Sequence, residues 1–266
     1  NRVGNKQNKM NKIKQRNEFD AFLIALIATS IIYGLLWLFF NFGIENPTHR
    51  IYLLLGGLWP EGTIQFFTAL AFSWALFILG SKSRKLKWED NAFKMPLLPE
   101  DEHKVILPKE INDLRLQLSD DSEYKDSIVY NTLKMACTKF RANKSAQETM
   151  DVVKIQTEIN MNYLDSSFSI IRYLAWSIPS IGFIGTVFGI SGALGRVDEA
   201  AAGDISGVTS LLGTAFDTTF LALFLSIILM FRIHRIQQKE ENFIINVQEH
   251  IMNNFVNRIY VPKAER

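Results

Sequence analysis

Four long stretches of this chain are almost free of charge, and they constrain its fold more than any other feature. Residues 21–44, 62–81 and 173–195 contain no Asp, Glu, Lys or Arg, and residues 205–231 contain one, Asp217. Each reaches the ~20 residues that a helix rising ~1.5 Å per residue needs to cross a hydrocarbon core of ~30 Å. An ordinary soluble domain has no use for four such runs. Disorder is excluded as well, because 48% of the residues are hydrophobic and 12% aromatic. A single cysteine, Cys137, rules out an internal disulfide or a multi-cysteine metal site. A formal net charge of +2 gives no global attraction to nucleic acid. The expected fold class is therefore an all-α membrane protein with four transmembrane helices.

Lys and Arg beside a span hold that end in the cytoplasm. Arg2, Lys6, Lys9, Lys12, Lys14 and Arg16 precede the first run, Lys82, Arg84, Lys85 and Lys87 follow the second, and Arg232, Arg235 and Lys239 follow the fourth. The connections at 45–61 and 196–204 hold one Arg each, Arg50 and Arg196, against two and three acids. Both termini are thus expected inside and the two short loops outside. A basic N-terminus before an apolar run can also be a secretory signal. Here the run is too long and lacks a small-residue cleavage site, so it reads as an uncleaved span. Residues 51–60 are too short to cross and should lie at the outer interface, with Tyr52 and Trp59 at headgroup level.

The charge pattern divides the chain into a basic cytoplasmic segment (1–20), two spans with a short outer loop (21–81), a cytoplasmic loop (82–171), a second pair of spans (172–232) and a C-terminal cytoplasmic helix (233–266). Within the loop, Pro96, Pro99 and Pro108 predict an irregular linker over 94–108. Ile111, Leu114 and Leu118 predict one amphipathic helix, and Ile128, Val129, Leu133, Ala136 and Phe140 a second. Val152, Ile155, Ile159 and Tyr163 recur at helical spacing along 143–168, a segment expected to run straight into the third span. Ile236, Phe243, Val247, Ile251 and Phe255 predict a helix continuing from the fourth. Such apolar stripes should pack on each other and on neighbouring subunits. The four histidines are scattered, and Asp120, Asp121 and Glu123 lack calcium-loop spacing, so no metal site, cofactor or catalytic constellation is expected.

The last two runs differ chemically from the first two. In the third, Gly182, Gly185, Gly189 and Gly192 form a stripe of small residues that lets helix backbones approach closely, and Pro179 is expected to kink the helix. The fourth is polar for an intramembrane helix: Ser206, Ser210, Thr214, Asp217 and Thr218 fall at helical spacing, with Thr209 and Thr219 beside them. A lone hydroxyl can bond its own backbone and says little. A carboxylate at mid-membrane costs at least ~2.5 kcal/mol, so Asp217 should face protein or water, either at an ion path or in a structural hydrogen bond or ion pair. Thr186 lies nine residues from Gly195, about 14 Å below the outer end, and Thr219 twelve from Gly207, about 18 Å below it. Two antiparallel spans would therefore offer hydroxyls at nearly one level.

At these residues the chain resembles the MotA/TolQ/ExbB proton-channel family. The third-span segment running from Pro179 to Ile190 is similar to the family's P-x-x-G-L-x-G-T-V-x-G-I. The segment from Ala215 to Ile227 is similar to its A-L-x-x-T-x-x-G-L-x-x-A-I. The resemblance implies a pore-forming homopentamer around two copies of a single-span MotB/TolR/ExbD-like partner, whose membrane Asp binds and releases the ion. It implies an ion-driven stator subunit of the bacterial inner membrane, with Thr186 and Thr219 on the path of H+ or Na+ and Thr218, Asp217 and Thr214 beside it. Two positions depart from the pattern. ExbB and TolQ carry Glu directly before the Ala of the second motif, where this chain has Thr214, and its acid comes three residues later, at Asp217. The small residue after the Thr is often Gly and here is Ala222. Four spans with a long loop between the second and third are closer to MotA than to the three-span relatives.

A competing reading is a passive scaffold that oligomerises through the glycine stripe without moving ions. A solute transporter would be expected to show internal repeats, and none is visible. The residues choose neither between H+ and Na+ nor among flagellar motility, envelope energy transduction, gliding and phage defence.

Overall fold

The computed structural model describes residues 2–42, 50–56, 62–99, 105–118 and 123–260. Among them the regular structure is helical, apart from one isolated parallel bridge between Ile106 and Ile259. The helices are α1 (Arg2–Phe42), α2 (Arg50–Leu54), α3 (Thr63–Phe93), α4 (Pro108–Gln117), α5 (Ile128–Asn143), α6 (Ala146–Ser167), α7 (Ser169–Leu194), α8 (Val197–Ala201) and α9 (Ser206–Asn254). Trp59, Asp120, Asp121 and the side chains of the basic N-terminal run lie outside the described residues. Four helices are long and apolar enough to cross a membrane, over Phe19–Phe39, Thr63–Phe93, Ala146–Leu194 and Ser206–Arg258.

The chain forms two compact units. One comprises Asn1–Ser81 with Ile170–His234, the other Lys82–Ser169 with Arg235–Arg266. In the first, α1 and α3 meet through aromatic edges: Phe22 on Trp74 at 5.0 Å and Tyr33 on Phe66 at 5.3 Å between ring centroids. Thr29 donates to Ser73 at 3.2 Å beside them. Large apolar side chains line the outside of this unit, among them Leu35, Phe183, Phe188, Phe220 and Ile227, the last 70% exposed. A surface this apolar calls for lipid or a neighbouring protein rather than water.

The second unit has a conventional core. Leu133, Phe140, Ile251 and Phe255 are fully buried, with Ile111, Leu118, Val153 and Val247 around them. Each such side chain contributes about 1.5–3 kcal/mol relative to exposure. Local signals start and stop the helices that build it. Pro108, expected in an irregular linker, is instead the first residue of α4, where a missing N–H costs nothing. Glu110 reaches back to accept from the Leu107 N–H at 2.8 Å. Ser127 caps α5 and Ser145 caps α6, each accepting an N–H of the first turn. Lys144, at φ 51°, closes α5 with its N–H on the Phe140 carbonyl. Pro96 and Pro99 do lie in irregular chain, which Arg258 ties down by donating to the Pro99 carbonyl at 3.0 Å.

Within one chain the stripe of Ile155, Ile159 and Tyr163 lies outward, each side chain about half exposed, whereas Thr149, Val153 and Leu164 are buried. Periodicity marks a helix's faces without saying which one its own chain covers, and here a Thr and a Val form the inner face. As expected, α6 leads on into α7: only Phe168 stands between them, in right-handed helical conformation and with its side chain fully buried, and the stretch Ala146–Leu194 is long enough to cross a membrane. Likewise α9 is continuous over 49 residues, and α7 continues through Pro179.

Candidate functional site

The glycine stripe of α7 meets α9 of the same chain. Gly182 lies against Ala222, Gly185 against Thr218, Gly189 against Ala215 and Gly192 against Leu211. The α9 positions 211, 215, 218 and 222 step by four, three and four, mirroring the three, four and three of the glycines. One side chain of α9 therefore enters each glycine notch. The fit differs along the stripe. A methyl group on Gly185 would sit 2.7 Å from Thr218 Cβ, and one on Gly189 2.8 Å from the Leu211 carbonyl oxygen. At Gly192 the nearest atom is the end of a Leu211 side chain at 3.3 Å, which can turn aside.

This close approach brings Thr186 and Thr219 together. Thr186 Oγ1 donates to the Ala215 carbonyl at 3.1 Å and Thr219 Oγ1 donates to the Gly182 carbonyl at 3.0 Å. The two hydroxyls also contact each other directly. The arrangement is reciprocal: each hydroxyl reaches the carbonyl four residues before the other threonine. Each hydroxyl carries one proton, so two protons serve three contacts. The pair can bond both carbonyls, or turn one proton inward onto the partner oxygen. Both side chains are half-buried, so the pair lies at an edge of the helix contact.

The other hydroxyls behave differently. Thr209 bonds the carbonyls of Ile205, just before α9, and of Ser206, and Thr214 bonds that of Ser210 within α9. Thr218 is 2% exposed; its hydroxyl donates to Ala215 of its own helix at 2.8 Å and lies 3.4 Å from the Gly182 carbonyl. It fills the Gly185 notch behind the pair. Asp217 is buried, 3% exposed. Two residues from Thr219, it projects about 200° away around the helix, so it does not join the hydroxyl pair. Its burial within one chain meets the expectation that a carboxylate at this depth faces protein.

Of the residues singled out from sequence, the structure thus joins Thr186, Thr219 and Thr218 with Gly182 and Gly185. It extends the stripe through Gly189 and Gly192, and sets Asp217 and Thr214 apart. Ala215 and Leu211 were not singled out, although their spacing on α9 matches the glycine spacing on α7. Buried polar residues of the second span were also missed: Thr68 bonds its own helix at Ile64, and both amide atoms of fully buried Gln65 lack a partner among the described residues. Nothing local marks them, because their burial depends on which face of α3 is covered.

Four helices long and apolar enough to cross a membrane, two of them joined by a small-residue seam carrying paired hydroxyls, fit a multi-pass membrane protein. Residues 120–249, just under half of the chain, match the model of the MotA/TolQ/ExbB proton channel family. The match takes in α5 to α7 and most of α9, well beyond the two motifs. The family is one of channels rather than enzymes. No curated protein and no solved structure matches the chain.

Proposed function

We propose that this chain is the channel-forming stator subunit of an ion-driven rotary machine in the bacterial inner membrane. Five copies enclose two copies of a single-span MotB/TolR/ExbD-like partner, and H+ or Na+ moving down its gradient turns the ring around that pair. Both termini lie in the cytoplasm. The observation that carries this reading is the crossed hydroxyl pair of Thr186 and Thr219, which lies at the edge of a dry seam and lets each helix bond the other's backbone. Membrane threonines that only need satisfying bond their own helix, as Thr209 and Thr214 do.

The physics of the step is differential solvation. An ionised partner carboxylate is rejected by an apolar wall, and loading it with a proton or cation removes the charge. A belt of hydroxyl pairs offers donors to the bare acid and oxygens to the incoming ion. Thr218 holds the seam behind the pair. Asp217 supplies negative potential within the same copy, in place of the Glu that stands before Ala215 in ExbB and TolQ, with Thr214 at that position. Coexpression with the partner and reconstitution into liposomes test the reading. T186V and T219V, which keep shape and lose the hydroxyl, should each cut gradient-driven ion uptake at least tenfold with the complex intact. Uptake at the parent rate in both would remove these residues from the path. Repeating the assay with and without Na+ identifies the ion.

The passive-scaffold reading relied on the glycine stripe as an oligomer contact. In this chain that stripe lies against α9, which weighs against its serving as a contact between copies.

A further inference from the structure

The four cations that follow the second apolar run divide into two pairs. Lys82 and Lys85 engage the protein itself. The Lys82 Nζ lies 3.5 Å from Glu240, both side chains being 15% exposed, and the Lys85 Nζ lies over the Tyr163 ring at 5.7 Å. Arg84 and Lys87 are exposed, and neither has an ion-pair or hydrogen-bond partner among the described residues. Asp90, the acid one turn on from Lys87, is taken by Lys94 at 2.6 Å. Three residues apart on a helix, Arg84 and Lys87 are neighbours on one face.

That face of α3 changes character along its length. Phe77 is exposed, a methyl group on Gly80 would meet no atom within 4 Å, Ser81 is exposed, and Arg84 and Lys87 follow. Positions three and four residues apart share a helix face. All of them stand on one continuous helix, whose geometry alone sets their spacing. Apolar ring, open notch, hydroxyl and paired cations follow the order of groups in a phospholipid, read from acyl chain to phosphate. The depths agree. The uncharged run ends at Ser81. At ~1.5 Å per residue Arg84 stands about 4.5 Å and Lys87 about 9 Å beyond it, and the headgroup layer of a bilayer is ~5–7 Å deep on each side. Long Arg and Lys stems let the charged ends reach back into that layer. We infer that this face binds an anionic phospholipid from the leaflet at the basic end of α3, with an acyl chain along Phe77, the glycerol at Gly80 and Ser81, and the phosphodiester between Arg84 and Lys87. A zwitterionic headgroup brings a cation of its own to the pair, whereas phosphatidylglycerol does not, so the site selects by net charge. The inference requires that the chain span a membrane but not that it move ions.

Native mass spectrometry of the full assembly, released from nanodiscs of equal phosphatidylglycerol and phosphatidylcholine, tests it. The parent should retain phosphatidylglycerol about tenfold in preference to phosphatidylcholine. R84Q/K87Q should lose at least fivefold of that preference, and R84K/K87R, which keeps both charges, should hold it. K109Q/K154Q removes the same net charge from exposed lysines elsewhere and should hold it too. Should the double variant fail to assemble, R84Q and K87Q singly should each lose part of the preference. No preference in the parent, the parent preference in R84Q/K87Q, or an equal loss in K109Q/K154Q would overturn the site. So would displacement of the lipid by soluble glycerophosphate, which would make this a site for free phosphate.

Discussion

At the scale of single residues, the seam between α7 and α9 makes graded demands. G185A and G189A place a methyl group against backbone or a β-carbon that cannot move, and overpacking of this kind costs about 1–3 kcal/mol. G192A meets only a flexible Leu end. Thermal melts of the purified assembly should therefore rank G192A near the parent and the other two well below it; equal loss in all three would mean that the stripe is not seated as described. Asp217 carries a separate expectation. If it supplies the potential that Glu supplies in the three-span relatives, D217N should assemble normally and lose ion-driven uptake, and undiminished uptake would assign the acid to packing. The glycine stripe could be read from sequence because smallness at a spacing of three and four is a property of the residues themselves. The crossed hydroxyl pair was half legible: depth arithmetic put Thr186 and Thr219 at one level, but their exchange of carbonyls depends on the interhelix distance.

At the scale of helices, sequence patterns located the elements better than their faces. The stripes from Val129 to Phe140 and from Phe243 to Phe255 pack inward as expected. The stripe of Ile155 and Ile159 stays exposed within one chain, because a pattern does not say which face its own chain covers. The Lys82–Glu240 ion pair was invisible for a simpler reason. Lys82 and Glu240 are 158 residues apart, and each reads as an ordinary charge near a span end. Buried groups in the second unit give it a pH dependence of definite sign. Burial pushes the Glu89 carboxyl up, with the Ile128 N–H and Lys85 opposing, and burial pushes Glu240 up against Lys82. An acid whose value is raised on folding stabilises fully below its unfolded value and loses that contribution as pH rises through the folded one. Stability of this unit should accordingly fall as pH rises from the ordinary carboxylate range toward neutrality, and E89Q should flatten the slope; melts that steepen with E89Q would contradict the assignment. Burial also drives the Cys137 thiol up to about 12. Maleimide at pH 8 should leave it unmodified in the folded protein and label it on denaturation.

At the scale of the whole molecule, the two units have different environments to satisfy. The second buries its apolar side chains in a core of its own, whereas the first presents Phe, Ile and Leu outward around an interior seam. The apolar runs and basic flanks showed this division in the sequence, because hydropathy and charge are additive along a chain. Assembly is a different matter: a count of subunits is written in surface shapes, and one chain's residues state it only through resemblance. The proposed function places the Thr186–Thr219 edge against a partner's membrane span, inside a ring of five copies. The most direct test puts a photoactivatable amino acid at position 219 and, as an outward-facing control, at exposed Ile227. With the partner coexpressed in the native membrane, irradiation should capture the partner's single span from 219, and lipid or a neighbouring copy from 227. Capture of lipid alone from 219, in an assembly that retains the partner, would contradict the central claim that this edge lines the ion path.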